Sequence, residues 1–133
     1  MIGTDLIEES PETKAFWDAV AGGRFVLPRC RLCHRTHWYP RGICPHCFST
    51  ELDWHESSGD GEIYSFSVNR MGNEPYVVAY VALSEGPIML SNVIDADPLT
   101  LSIGTRVKVA FRPAIGRLPV PLFVVPSVLS PKL

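Results

Sequence analysis

The stretch CRLCHRTHWYPRGICPHC, residues 30–47, decides how the rest of the chain is read. It holds all four cysteines of the protein, as Cys30-x-x-Cys33 and Cys44-x-x-Cys47, with ten residues between the pairs. Two residues between thiolates let one tight turn present both sulfurs to one ion. Two such turns close a tetrahedral four-sulfur zinc site with bonds of roughly 2.3 Å. A single CxxC also suits a thioredoxin-like redox pair, but that reading wants a βαβ context, which this pattern does not offer. Paired disulfides belong to oxidising compartments. The opening MIGTDLIEES is acidic and has no apolar segment of the secretory kind. Reduced cysteines, a cytoplasmic setting and a structural zinc are therefore expected, with iron–sulfur or redox chemistry as the alternatives. The ten-residue spacer is short for paired CxxC sites and demands a tight connection. His34, His37 and His46 are alternative ligands, each read here as solvated or as standing behind the cysteines.

The bulk of the chain is that of a soluble, core-forming protein. Its 133 residues make one domain or two small ones, and 46% hydrophobic against 20% charged residues is enough to bury a core. A formal net charge of −2 argues against a dedicated nucleic-acid binder. No apolar run approaches the roughly 20 residues that span a bilayer, so no membrane partner is expected. Five prolines (Pro113, Pro119, Pro121, Pro126 and Pro131) crowd the last 21 residues and predict an extended, irregular tail.

Outward from the cysteines, three segments separate: an N-terminal helical segment at 1–23, a zinc ribbon at 24–57 and a β-rich unit at 58–133. Ser10-Pro11-Glu12 is a helix start, with Ser as cap, Pro at the first helical position and Glu at the positive end of the dipole. The helix runs over 11–21, carries Phe16, Trp17 and Val20 along one side, and stops at Gly22-Gly23. In the ribbon, Arg24–Leu27 and His37–Tyr39 read as short strands and Leu52–His55 as the exit strand. Ser57-Ser58-Gly59-Asp60-Gly61 is a run of turn formers and marks the boundary. Beyond it the pattern changes to period two. Strands are expected at Glu62–Asn69, at Tyr76–Leu83 (nearly all apolar, hence central), at Ile88–Ile94, at Arg106–Arg112 with Val107, Val109 and Phe111 on one face, and at Pro121–Val125. Five short strands in so few residues predict a small closed barrel of the OB type, with Ala96–Ile103 as the helix or loop between the third and fourth strands.

This combination resembles the DUF35 family. The matching positions are Arg29-Cys30-x-x-Cys33, Pro40-Arg41-x-x-Cys44-Pro45-x-Cys47, Leu52-x-Trp54, Ser58-Gly59-x-Gly61-x-Ile63-Tyr64-Ser65-Phe66, Glu85-Gly86-Pro87, Asn92-Val93-Ile94 and Ile103-Gly104-x-x-Val107-x-Val109-x-Phe111. The resemblance implies a mainly β fold: an N-terminal helix, a rubredoxin-like zinc ribbon and a five-stranded OB barrel. It also implies an accessory role beside acyl-CoA enzymes of the thiolase superfamily (acyltransferases, or retro-aldolases of sterol side-chain breakdown) or MaoC-type hydratases. The chain departs from the family pattern at His34 and Phe48, where glycine is usual after each CxxC, and at Val124, where an arginine often follows the phenylalanine.

The chain has no evident catalyst of its own. A four-sulfur site is closed to water, Asp95 and Asp97 read as a capped turn, and His55 has no evident carboxylate or serine partner. Arg24, Arg29, Arg31, Arg35 and Arg41, with no acidic residue among positions 24–41, form a candidate site for coenzyme A or another anion. Arg106, Lys108, Arg112 and Arg117 form a second basic group. The other reading of both is solvated surface. Phe16, Trp17, Trp38 and Tyr39 are the candidate partner-binding residues. The expected function is a non-catalytic subunit that docks on a thiolase-like or hydratase-like protein and supports acyl-CoA handling. The alternatives are an OB module for single-stranded nucleic acid, with Trp38, Tyr39, Tyr64 and Phe66 stacking on bases, and a free-standing acyl-CoA enzyme.

Overall fold

The computed structural model describes residues 11–113 and 119–126. The proposed Ser10 cap, Arg117 and Pro131 lie outside them. Helix α1 (Pro11–Ala21) buries Thr13, Phe16, Ala19 and Val20, a spacing that keeps one stripe on the core. It ends at Gly23, whose φ of 81° lets Gly23 N–H and Arg24 N–H turn back to the Val20 and Ala19 carbonyls at 2.9 Å each.

The ribbon is a two-stranded antiparallel sheet of β1 (Val26–Cys30) and β2 (Leu52–Glu56), registered Val26 to Glu56 through Cys30 to Leu52. The first strand thus begins two residues later than its sequence suggests and runs directly into the first ligand. The expected strand at His37–Tyr39 does not form. The chain makes one bridge, Arg29 to Thr36, and a single hydrogen bond from His37 N–H to the Pro28 carbonyl. Trp38 is drawn instead edge-on to Phe16, with ring centroids 4.9 Å apart, and Pro40 has no N–H to extend a ladder.

The remaining strands close a barrel in the order β3-β4-β5-β7-β6: β3 (Asp60–Asn69), β4 (Tyr76–Leu83), β5 (Ile88–Val93), β6 (Arg106–Pro113) and β7 (Pro119–Val124). All pairs are antiparallel except β5 with β7, which meet in parallel at Val93 and Phe123. The long first strand closes the barrel by pairing with β4 along its length and with β6 at Asp60–Glu62. At Gly61 an added Cβ would lie 2.7 Å from Val81 Cγ1 and 2.8 Å from the Ala82 carbonyl, so only glycine fits that crossing. A bulge at Tyr64 shifts the register between Ile63 and Ser65. It turns Tyr64 out to solvent and lets Ile63 and Phe66 both reach the core, which strict alternation forbids. Between β5 and β6 a short 3-10 turn, Pro98–Thr100, is capped by Asp97, which accepts from Leu99 N–H.

One expectation needs correction. Part of the proline-rich tail is ordered strand: Pro119 and Pro121 sit in β7 opposite Pro113 and Phe111. The other edge of β7 is bridged to β5 only at Phe123, so no ladder there demands the missing proline N–H groups. Strand β4 is central, as its apolar run implies, lying between β3 and β5. Val77, Ala79, Val81 and Leu83 point into the barrel, while Tyr76 and Tyr80 are about half exposed.

Helix, ribbon and barrel share one core. Phe25 links them: its ring lies edge-on to Phe16 of α1 at 6.2 Å, to Phe111 at 6.4 Å and to Phe123 at 6.5 Å. Phe25 is nearly fully buried, and its carbonyl accepts from Ser57 N–H at the exit of the ribbon. Phe25→Ala is expected to cost about 3–5 kcal/mol of stability and to uncouple ribbon from barrel. Chemical unfolding followed by separate probes of zinc release and of hydrogen exchange at the β3–β7 amides should change from one coincident transition to two.

Candidate metal centre

Each cysteine pair is held by the same local device. After Cys30, the N–H groups of Leu32 and Cys33 point at its sulfur at 3.3 and 3.4 Å, and His34 N–H closes the turn on the Cys30 carbonyl at 2.9 Å. After Cys44, His46 N–H points at its sulfur at 3.3 Å, and Phe48 N–H bonds the Cys44 carbonyl at 2.8 Å. Both turns must end in left-handed backbone, and His34 (φ 66°) and Phe48 (φ 68°) adopt it without being glycine. The departures from the family pattern therefore leave the turn geometry intact.

The two turns face one another. Cys30 Sγ lies 3.5 Å from Cys47 Sγ, Cys33 Sγ lies 3.7 Å from Cys44 Sγ, and all four sulfurs fall within 4.8 Å of one another. A zinc tetrahedron with bonds of roughly 2.3 Å has sulfur–sulfur edges of roughly 3.8 Å, so the donor set fits zinc in number, kind and spacing. The electrostatics agree. The Cys33 N–H, against the cost of burial, leads in holding the Cys30 thiol down to about 6. For Cys47 the Ser49 N–H favours the thiolate, but burial and the three neighbouring sulfurs outweigh it and push the thiol up to about 12. Four sulfurs this close cannot all ionise unaided; a dication resolves the conflict and holds all four as thiolates. With four protein ligands the shell is full, and the metal's contribution is to fold.

The arginine group does not converge on one site. Arg24 pairs with Glu56 at 3.5 Å, Arg31 with Asp53 at 3.3 Å and Glu51 at 3.8 Å, and Arg29 donates to the His34 carbonyl at 3.2 Å. Only Arg35 and Arg41 face a common space, a cavity of about 520 Å³ between the ribbon and the β4–β5 turn Glu85-Gly86-Pro87. His34, His37 and His46 also line it. None of the three belongs to the sulfur cluster. This cavity was not legible in the sequence, because a third of its lining comes from a turn about 40 residues downstream. In the second basic group, Arg112 pairs with Asp95 at 2.9 Å and Lys108 with Asp60 at 3.2 Å. Asp95 and Asp97 are thus an ion-pair partner and a cap, and His55 meets the Thr36 hydroxyl at 3.3 Å.

Of the candidate partner-binding aromatics, Phe16 is corrected: at 2% exposure it is core, held between Trp17, Trp38 and Phe25. Trp17 and Trp38 are half-buried and Tyr39 is exposed. The sequence reading missed a second apolar surface on the outside of the barrel. There the cross-strand rows Ser65–Tyr80–Leu90, Ser67–Val78–Asn92 and Asn69–Tyr76 carry no charge. No helix among the described residues is long and apolar enough to cross a membrane.

Comparison with known proteins agrees with this geometry. Residues 17–53 match the family model described as the ChsH2 rubredoxin-like zinc ribbon domain, and residues 54–112 match the ChsH2 C-terminal OB-fold domain. A "DUF35 domain-containing scaffold protein" of Methanothermobacter thermautotrophicus is 38% identical over 91 residues, covering 63% of this chain and 68% of that protein. A "probable enoyl-CoA hydratase alpha subunit" of Thermomonospora curvata is 35% identical over 115 residues, covering 82% of this chain but only 36% of that protein, about a third of its length. Among solved structures, "Ltp2-ChsH2(DUF35) aldolase" superposes with a TM-score of 0.77 at 31% identity, covering 86% of this chain and 94% of that one. The four cysteines are a structural zinc site in a rubredoxin-like ribbon.

Two outcomes are expected. The side chains of His34 and Phe48 are exposed, so His34→Gly and Phe48→Gly lose little packing and relieve left-handed strain. Each should leave the zinc-loaded protein unchanged or up to about 1 kcal/mol more stable. A loss above that in denaturant unfolding would show that these side chains hold the turns. The second outcome concerns His37. Burial first, then the charges of Arg41 and His46, hold it below its ordinary 6.5. The unfolded chain takes up that proton near 6.5 while the folded chain refuses it. Stability should therefore fall as pH drops below 6.5, and level off beneath the depressed folded value. His37→Phe should remove this part of the acid loss. Unfolding midpoints of both proteins at about pH 7.5 and about pH 5.5, with zinc content followed in parallel, test it; identical slopes would assign the loss to other groups.

Proposed function

Because this chain belongs to the DUF35 family, with the ribbon and OB domains of the ChsH2 type, we propose that it is a non-catalytic accessory subunit of an acyl-CoA-processing enzyme. Its partner is a hydratase-like or thiolase-like protein, the latter including the retro-aldolases, and the subunit covers or completes the partner's acyl-CoA channel. The names of its relatives, a hydratase alpha subunit, a scaffold protein and an aldolase component, support that class of partner.

The observation that carries the reading is an uncharged patch on the outside of the barrel, where the rows Ser65–Tyr80–Leu90, Ser67–Val78–Asn92 and Asn69–Tyr76 lie side by side. Tyr80 is 48% exposed and Leu90 55%, side by side in one row, with Tyr76 (49%) two rows away. The outside of a solvated barrel strand ordinarily carries charge, and an uncharged patch with exposed tyrosine and leucine side chains on a small protein marks an interaction surface. Tyrosines suit such a surface, because each adds large contact area at low entropic cost and keeps a polar tip. Tyr39, with the half-buried Trp17 and Trp38 behind it, forms a second apolar edge at the ribbon. The zinc ribbon and the aromatic core hold both surfaces rigid, so docking orders little that was not ordered already.

Co-purification from the native host, or co-expression with candidate neighbours, tests the reading. Recovery of a hydratase-like or thiolase-like protein is expected. Tyr80→Asp and Leu90→Asp, each adding a charge to the patch, should weaken the complex at least about a hundredfold, as hot-spot positions do, while leaving zinc content and melting temperature near the wild-type values. A monomeric chain that neither retains such a protein nor alters its activity would contradict the proposal.

A further inference from the structure

The cavity between the ribbon and the β4–β5 turn lies apart from the barrel patch, and its lining carries polar and charged groups without partners among the described residues. His37 lines it, is 3% exposed, and has no hydrogen-bond partner for either ring nitrogen. A buried imidazole with both nitrogens unpaired costs free energy unless a further group satisfies it. The same walls carry Arg35 and Arg41, which form no ion pair with any described residue. This is unlike Arg24 and Arg31, whose charges are met by Glu56, Asp53 and Glu51. The one carboxylate of the lining, Glu85, is already committed. Its oxygens accept from the Ser57 hydroxyl at 3.0 Å and the Ser58 N–H at 2.9 Å, so it braces the turn. His34 and His46 add further donors to the wall.

We propose that this cavity binds a phosphate-type anion, with Arg35 and Arg41 neutralising its charge and His37 donating a ring N–H to it. Planar guanidinium forks match phosphoryl oxygens in geometry as well as charge. The volume of about 520 Å³ is large enough for a diphosphate. Trp38 on the same wall leaves an aromatic face for whatever carries the phosphates.

The test is calorimetric titration of the full-length, zinc-loaded chain with pyrophosphate at fixed ionic strength. One saturable site is expected. Arg35→Ala with Arg41→Ala should weaken it by about tenfold or more, the loss of two charge-assisted donors. Arg24→Ala with Arg31→Ala removes the same net charge outside the cavity and should change affinity less than about twofold. Arg35→Gln with Arg41→Gln repeats the test should the alanine variant lose zinc. His37 imidazole signals in nitrogen-resolved NMR should shift on titration in wild type. Adenosine diphosphate forms a second arm: tighter binding than pyrophosphate assigns the anion to a nucleotide-borne ligand, and equal binding assigns it to the free diphosphate. Absence of saturation with either probe, or equal losses in the two charge-matched variants, would overturn the proposal. No enzyme partner is present in these titrations, so their failure is distinct from failure of the accessory-subunit reading.

Discussion

Four thiolates within 4.8 Å of one another are the constraint on which the rest of this protein depends. The ribbon between Arg24 and Ser57 has two short strands and two turns, and too little apolar material to fold on its own account. Its turns hold His34 and Phe48 in left-handed backbone, a cost that persists only where surrounding structure over-determines it. A dication that cancels the repulsion of the sulfurs provides that over-determination, and a closed tetrahedral shell gives it direction. The N–H groups of Leu32, Cys33 and His46 spread the remaining negative charge into the backbone.

The ribbon so fixed becomes the platform for two further arrangements. Phe25, next to the start of β1, carries the order of the ribbon into the barrel through Phe111 and Phe123, and into α1 through Phe16. Glu12 of the helix accepts from Gly42 N–H at 3.0 Å, tying the helix to the second cysteine turn. The barrel can then leave one flank uncharged and partly apolar without collapsing, because its interior is filled by Ile63, Val77, Ala79, Val81, Val107 and Phe123.

The elements carried by local pattern were legible in the sequence. The CxxC spacing located the ligands, and period-two runs located the five barrel strands. The rest depended on distant parts of the chain. Phe16 looked like a docking aromatic because its stripe is visible in one dimension, whereas the Phe25 and Trp38 rings that cover it come from the ribbon. The conflict between Ile63 and Phe66 in a period-two reading was itself the trace of the Tyr64 bulge. The five arginines were one cluster in sequence, and only tertiary structure divided them into three already bonded to the protein and two facing a cavity.

One zinc, held by Cys30, Cys33, Cys44 and Cys47, organises the protein. X-ray absorption at the zinc edge of the purified full-length chain measures it most directly. A shell of four sulfurs at about 2.3 Å, with one zinc per chain, is the predicted result. A nitrogen or oxygen scatterer in the first shell, fewer than four sulfurs, or iron in place of zinc would contradict it.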